Sequence, residues 1–170
     1  IYVINTCTVT NIADRKSRQM LHKAKKMNPD AIVVATGCYV QTDEGKLDKD
    51  EAVDLILGNN QKKQIVEVLE EYERQHKKQK HVIKINQTKE YEELEISHTA
   101  EHVRAYIKVQ DGCNQFCTYC IIPSLRGKFR SVPEERLLKQ AEYMASQGVK
   151  ELILVAQETT CLLYTSPSPR

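Results

Sequence analysis

The chain has 170 residues, of which 41% are hydrophobic and 28% charged, proportions typical of globular domains rather than of disordered, collagenous or coiled-coil chains. Lys and Arg number 25 against 23 for Asp and Glu, a net charge of +2, so bulk charge does not indicate nucleic-acid binding. No apolar run exceeds the five residues seen at 152–156, which excludes a transmembrane helix and the apolar core of a signal peptide.

Residues 1–75 alternate short apolar runs with amphipathic helical patterns, which predicts an α/β domain built on a parallel sheet. The pattern predicts strands at 1–4, 31–36 and 53–57, and helices at about 13–26 and 60–75. In the first helix, the residues with the spacing of a buried stripe are Met20, Leu21, Ala24 and Met27. Because the first strand begins at Ile1 rather than after a Met, we expect the chain to be truncated inside this domain.

Charged and polar residues dominate 76–102, which predicts a linker between domains. A second domain is predicted over 103–160, with a strand at 103–109, a helix at about 133–147 and a strand at 151–156. This β-α-β unit is again typical of a parallel sheet.

Residues 161–170 change abruptly to the Ser-Pro-rich stretch CLLYTSPSPR. Their back-translation resembles a transposase adaptor used in sequencing libraries, so we predict a non-native tail and exclude it from the fold. The alternative is a Pro-rich linker. In either case Cys161 is not counted as a ligand.

Five cysteines remain, and three of them form the motif Cys113-x3-Cys117-x2-Cys120 directly after a predicted strand. An odd number of cysteines without an export signal favours metal or redox chemistry in a reducing compartment, the cytoplasm, over disulfides. A buried helical stripe of small side chains is one alternative. A zinc site is another, with His98 or His102 as the fourth ligand. Three thiolates on a four-iron cluster would leave one iron open to a substrate or cofactor.

Three sequence blocks resemble the radical S-adenosylmethionine methylthiotransferase family: NTCTVT at 5–10, GCYVQ at 37–41, and DGCNQFCTYCIIP at 111–123. The resemblance covers about residues 1–160. It implies an N-terminal α/β domain followed by the first β-α-β unit of a partial (βα) radical barrel, with a small RNA-binding barrel further along the chain.

The resemblance also implies a set of site residues. Cys113, Cys117 and Cys120 would hold a 4Fe-4S cluster whose open iron binds S-adenosylmethionine, and Tyr119 would lie near the adenine, or simply pack. Cys7 and Cys38 match two of three ligands of an auxiliary 4Fe-4S cluster, and the third would come from an upstream motif absent from this chain. Taken alone, either residue is an ordinary buried cysteine.

The implied reaction uses one S-adenosylmethionine as methyl donor and a second as source of a 5'-deoxyadenosyl radical, so that a methylthio group is added to an unreactive C-H carbon. A reducing electron donor is implied, and no membrane. We expect the truncated chain to be inactive by itself. A zinc-binding α/β module without catalytic activity is the alternative of another class.

Two branches of the family are indicated by different parts of the chain. Up to about residue 122 it resembles enzymes that modify threonylcarbamoyladenosine next to the anticodon of tRNA. From 124 onward it more resembles enzymes that modify an aspartate of a small-subunit ribosomal protein. One hypothesis is that two related genes were joined in the shared CIIP segment, and the alternative is one enzyme with mixed features. We take tRNA as the substrate, since most of the chain favours it.

A basic turn follows the cysteine motif and contains Arg126, Lys128 and Arg130. These side chains could contact RNA phosphates. The alternative is an ordinary solvated turn.

Overall fold

The structure is a computed structural model that describes residues 1–42, 44–83, 85 and 103–158. The predicted tail at 161–170 and the greater part of the predicted linker lie outside the described residues. The chain divides into two compact units, Ile1–Thr88 with Ser124–Arg126, and Lys89–Pro123 with Gly127–Arg170. Within the described residues, no helix combines the length and the apolar character needed to cross a membrane.

The first unit contains a four-stranded parallel sheet, which confirms the predicted α/β class. Its strands follow the order β1 (Tyr2–Thr6), β2 (Val33–Gly37), β3 (Leu55–Leu57) and β4 (Gln79–His81). The accompanying helices are α1 (Asn11–Met27), α2 (Cys38–Thr42), α3 (Glu44–Asp48) and α4 (Ile65–Gln75), the last preceded by a 3-10 turn at Lys62–Gln64.

Helices cover both faces of this sheet, because alternate residues of a buried strand point to opposite sides. Val33 and Ala35 pack in one cluster with Leu21 of α1, whereas Val34 packs in the other with Val68 of α4. This double burial explains why the strand sequences are apolar throughout.

Helix α1 begins at a capped residue, since the Thr10 hydroxyl accepts a hydrogen bond from the Ala13 N-H at 3.1 Å. Its buried positions are Ser17, Leu21 and Ala24. The predicted stripe was too wide: Met20 is 53% exposed and Met27 is 66% exposed. The buried residues recur at spacings of four and three. Met20 directly precedes Leu21 and therefore lies about 100° around the helix from it.

Two features of the first unit differ from the predicted elements. Strand β4 lies within the stretch predicted as linker and pairs in parallel with β3, so the sheet continues beyond residue 75. Helices α2 and α3 were not predicted, because helices of five residues are too short for an amphipathic pattern to repeat.

The second unit contains the predicted β-α-β arrangement. Strands β5 (Arg104–Lys108) and β8 (Glu151–Val155) pair in parallel, and α6 (Glu134–Ser146) connects them in sequence. Ala105 and Ile107 of β5 pack with Met144 of α6 in the core of this unit. A short antiparallel pair, β6 (Gln110–Asp111) and β7 (Arg130–Ser131), flanks the cysteine motif in sequence. Helix α5 spans Ile122–Arg126, and its residues Ser124–Arg126 are grouped with the first unit.

Candidate functional site

Cys7 and Cys38 follow the carboxyl ends of two paired strands in the first unit. The register pairs Thr6 of β1 with Gly37 of β2, and each cysteine is the next residue in its chain. Because neighbouring strands lie about 4.8 Å apart, this register brings the two cysteines to the same edge of the sheet. The carboxyl edge is where open α/β sheets bind ligands.

Gly37 permits a close approach between the two strand ends. Its φ is +100°, and a Cβ at this position would collide with the Thr6 carbonyl oxygen and the Asn5 side chain. The Thr6 hydroxyl also donates to the Thr36 carbonyl at 2.6 Å. A side chain at position 37 would therefore push β1 and β2 apart next to both cysteines.

Ser17 of α1 holds the backbone of Cys7. The Cys7 N-H donates to the Ser17 Oγ at 2.9 Å, and the Ser17 hydroxyl has the carbonyls of Cys7 and Ala13 as acceptors, each at 2.9 Å. Cys7 is exposed, whereas Cys38 is buried as the first residue of α2. Sequence reasoning missed Ser17, since a serine inside an amphipathic helix carries no signal of its own.

The three-cysteine loop of the second unit begins at a glycine as well. Gly112 has a φ of +77°, and a Cβ there would collide with the Lys128 carbonyl group. The Cys113 N-H donates to the Gly127 carbonyl at 3.2 Å. Asp111 accepts from the Gly112 N-H at 3.0 Å and lies 2.8 Å from the Lys108 ammonium. These contacts fix the start of the loop.

The rest of the loop turns toward solvent. The Cys120 N-H donates to the Cys117 carbonyl at 3.0 Å, which closes a turn around Thr118 and Tyr119. Cys113 is buried, Cys117 is exposed and Cys120 is partly buried. Tyr119 is 92% exposed, so its ring does not pack in the core.

Gln110 supports this loop, although no sequence pattern had singled it out. Its side chain is fully buried, and its amide nitrogen donates to the carbonyls of Asp111 and Gly112. Its amide oxygen accepts from the N-H groups of Gln157 and Glu158 at 3.0 and 3.2 Å. Gln110 therefore ties the entrance of the loop to the segment after β8.

Both sets consist of thiols, the donor type that iron-sulfur clusters and structural zinc sites use. All five cysteines are free thiols. Across the part of the chain that the structure describes, no three His, Cys, Asp or Glu side chains converge closely enough to hold one metal ion. A zinc ion requires all its thiolates at about 2.3 Å, whereas each cysteine of a cubane ligates a separate iron. His98 and His102 lie outside the described residues.

The three cations of the basic turn differ in their exposure. Arg130 is only 7% exposed and lies 3.9 Å from the Asp111 carboxylate. Arg126 is partly buried and donates to a sulfur, that of Cys38, at 3.1 Å. Lys128 alone of the three is exposed. The alternative of a phosphate contact was therefore wrong for the buried Arg130, whereas for the partly buried Arg126 it stays a prediction.

Two family models match separate parts of the chain. Residues 1–58 match a family described as Uncharacterized protein family UPF0004, and residues 107–165 match the Radical SAM superfamily. The chain combines a UPF0004 domain with a radical SAM domain. The resemblance inferred from the cysteine motifs is confirmed at this level.

The curated relatives that match this chain are longer proteins. The chain is 46% identical over 158 residues to the threonylcarbamoyladenosine tRNA methylthiotransferase MtaB of Aquifex aeolicus, covering 93% of this chain and 38% of the relative. It is 39% identical to the Bacillus subtilis MtaB, covering 94% of this chain and 35% of that protein. It is 37% identical to the ribosomal protein uS12 methylthiotransferase RimO of Clostridium botulinum, covering 94% of this chain and 36% of the relative. The chain thus spans a little over a third of the length of these relatives.

Both kinds of relative align with both parts of the chain. Each alignment covers at least 93% of it and so extends to both sides of residue 122. The change of branch near that residue stays a prediction.

Proposed function

We propose that the protein carrying this chain is a radical S-adenosylmethionine methylthiotransferase that modifies threonylcarbamoyladenosine in tRNA, in the cytoplasm and with a reducing electron donor. The observation that carries the proposal is the loop of three free thiols braced at Gly112 by Gln110. The MtaB relatives support the acceptor.

In this proposal Cys113, Cys117 and Cys120 hold a 4Fe-4S cluster and leave one iron to S-adenosylmethionine. When bound, these groups supply the one-electron chemistry that activates a C-H bond, and the protein supplies position and electrostatics. Asp111, Gly112 and Gln110 set the direction in which the loop leaves the sheet. The exposed ring of Tyr119 is available to stack on the adenine of the cofactor.

Cys7 and Cys38 provide two thiolates for an auxiliary 4Fe-4S cluster. The shared register at Thr6 and Gly37 supports a common site for them. The Ser17 contacts keep Cys7 at the strand end while its side chain stays accessible.

Anaerobic reconstitution with ferrous iron and sulfide tests the radical site. We expect a broad charge-transfer absorption, and we expect Cys117→Ala to lose the share of iron held by the three-cysteine loop. Thr118→Ala, on the same loop, is the matched control and should keep it. Preferential zinc binding, or an iron content that does not respond to Cys117→Ala, would favour the zinc module instead.

A ribosomal-protein acceptor is the second candidate, because RimO proteins also match most of the chain. Replacing the corresponding segment of an intact MtaB enzyme with residues 124–160 of this chain tests the choice. Retained activity on tRNA supports our proposal. A switch to methylthiolation of the ribosomal protein would support the second candidate.

A further inference from the structure

Residues Ser124–Arg126 belong to the first unit, although they directly follow the cysteine loop of the second unit in sequence. Leu125 is 1% exposed, and its carbonyl accepts a hydrogen bond from the Asn59 side-chain amide at 2.9 Å. Asn59 is itself 2% exposed. A buried side chain and a buried hydrogen bond therefore anchor this short segment beside the sheet of the first unit.

The anchored segment presents Arg126 to a cysteine. The Arg126 Nε-H donates to the Cys38 Sγ at 3.1 Å. Cys38 is 3% exposed and begins α2 directly after Gly37, so little water competes for this contact. The arginine guanidinium is a planar cation whose N-H groups can only donate. The sulfur consequently has a cationic donor.

We infer that Arg126 is a positioning residue for the Cys38 sulfur and raises the reduction potential of the cluster bound there. The inference rests on the auxiliary cluster proposed above. A hydrogen bond to the sulfur fixes the direction of its lone pairs, as outer contacts do for other metal ligands. A nearby positive charge and an N-H donor both favour the more negative, reduced cluster, and hydrogen bonds to ligand sulfurs help to set cluster potentials.

The contact is testable in the iron-free chain. In ¹⁵N-labelled protein, we expect the Arg126 Nε-H resonance to shift and its exchange with solvent to accelerate about tenfold in Cys38→Ala. Cys7→Ala is the matched control at the neighbouring strand end and should leave both quantities unchanged. Cys38→Ser keeps a hydrogen-bond acceptor and should give an intermediate result. An Nε-H that does not respond to Cys38→Ala would overturn the inference.

The effect on the cluster is tested in reconstituted protein in which Cys113, Cys117 and Cys120 are replaced by Ala. We expect Arg126→Met to reduce the equilibrium constant for one-electron reduction about tenfold, a change of about 59 mV toward lower potential. Arg126→Lys keeps the charge and should shift the potential less. Arg15→Met removes an exposed arginine of the same unit and should shift nothing.

The outcomes separate this inference from the proposed function. An unchanged potential in Arg126→Met, at equal iron content, would overturn the role of Arg126 while leaving the auxiliary cluster in place. Loss of iron in Arg126→Met with iron retained in Arg126→Lys and Arg15→Met supports positioning. If circular dichroism shows that Arg126→Met is unfolded, the potential of Arg126→Lys decides. No iron in the parent background would refute the auxiliary cluster, and the resonance experiment then decides the contact separately.

Discussion

Cys7 and Cys38 are separated by 31 residues and follow two strands whose last residues pair in register, whereas Cys113, Cys117 and Cys120 lie within eight residues on one loop. In the first unit, the separation of the sulfurs depends on strand pairing and on α1. In the second, it depends on the path of a single loop. The two sites also share a backbone feature, because each contains a Gly-Cys step in which the glycine has positive φ.

Because of this difference, we expect the two cysteine sets to be disturbed by substitutions in different places. The pair, Cys7 and Cys38, is sensitive to anything that changes the packing of β1, β2 or α1, because its members come from different elements. The triplet, which is the three-cysteine loop, is sensitive to changes at the start of that loop, where Gly112, Asp111 and Gln110 are held. We therefore expect substitutions in one unit to impair iron binding in that unit and to spare the other.

The largest effects should come from the two glycines before cysteines. Gly37→Ala and Gly112→Ala place a methyl group against backbone carbonyls at positive φ, which should lower the free energy of unfolding by roughly 3 kcal/mol. Gly37→Ala should abolish iron binding at the pair, and Gly112→Ala at the triplet. Urea unfolding measures the loss of stability. Iron analysis measures the loss of iron binding in proteins that keep only one of the two cysteine sets, the cysteines of the other set being replaced by Ala.

Gly148→Ala is the control for these two variants. Gly148 also has a positive φ, of +87°, but a Cβ there would meet nothing within 4 Å. Only the conformational cost of about 1 kcal/mol remains. An equal loss of stability in all three variants would contradict the steric explanation.

A smaller effect is expected where α1 supports Cys7. Ser17→Ala leaves the Cys7 N-H without the hydroxyl that accepts it, which should cost about 1–2 kcal/mol and weaken iron binding at the pair alone. Ser146→Ala, in an exposed serine of α6 that donates to the Tyr143 carbonyl, should cost less than about 0.5 kcal/mol. Weaker iron binding at the triplet in Ser17→Ala would contradict the expectation that a substitution in one unit spares the other.

The smallest effect should come from substitution of Tyr72, at the edge of the first sheet opposite Cys7 and Cys38. It should have no consequence for either cysteine site. The Tyr72 hydroxyl donates at 3.1 Å to the Asp54 carboxylate. This carboxylate also accepts from Lys25 and from the Val33 N-H. Burial, followed by the negative charge of Asp54, raises the pKa of Tyr72 above its ordinary value of 10.0.

A raised folded pKa means that the neutral phenol stabilises the fold below pH 10.0 and that this contribution is lost as pH rises through the folded value. Tyr72→Phe should therefore cost about 1 kcal/mol at neutral pH and should lack this part of the alkaline decline. Unfolding free energies measured against pH test the sign. A widening gap between parent and variant at alkaline pH would contradict it.

Sequence periodicity predicted the α/β class, and the spacing of Cys113, Cys117 and Cys120 predicted that they share one loop. Strands buried on both faces must be apolar throughout, and helices that pack on them must be amphipathic, so both leave a periodic signal. The triplet was visible because its cysteines share one loop and need no tertiary contact to be neighbours. Short elements such as α2, α3 and β4 escaped prediction because three to five residues are too few for a hydrophobic pattern to repeat.

Only the tertiary structure decided which polar side chains support the cysteines. Ser17, Gln110 and Arg126 reach partners 10, 47 and 88 residues away in the chain, and no local pattern encodes such distances. Arg126 and Arg130 resembled a solvent-facing basic turn in the sequence, yet one donates to a sulfur and the other is buried near a carboxylate. Local periodicity determines which backbone elements form, whereas long-range packing determines which polar atoms meet.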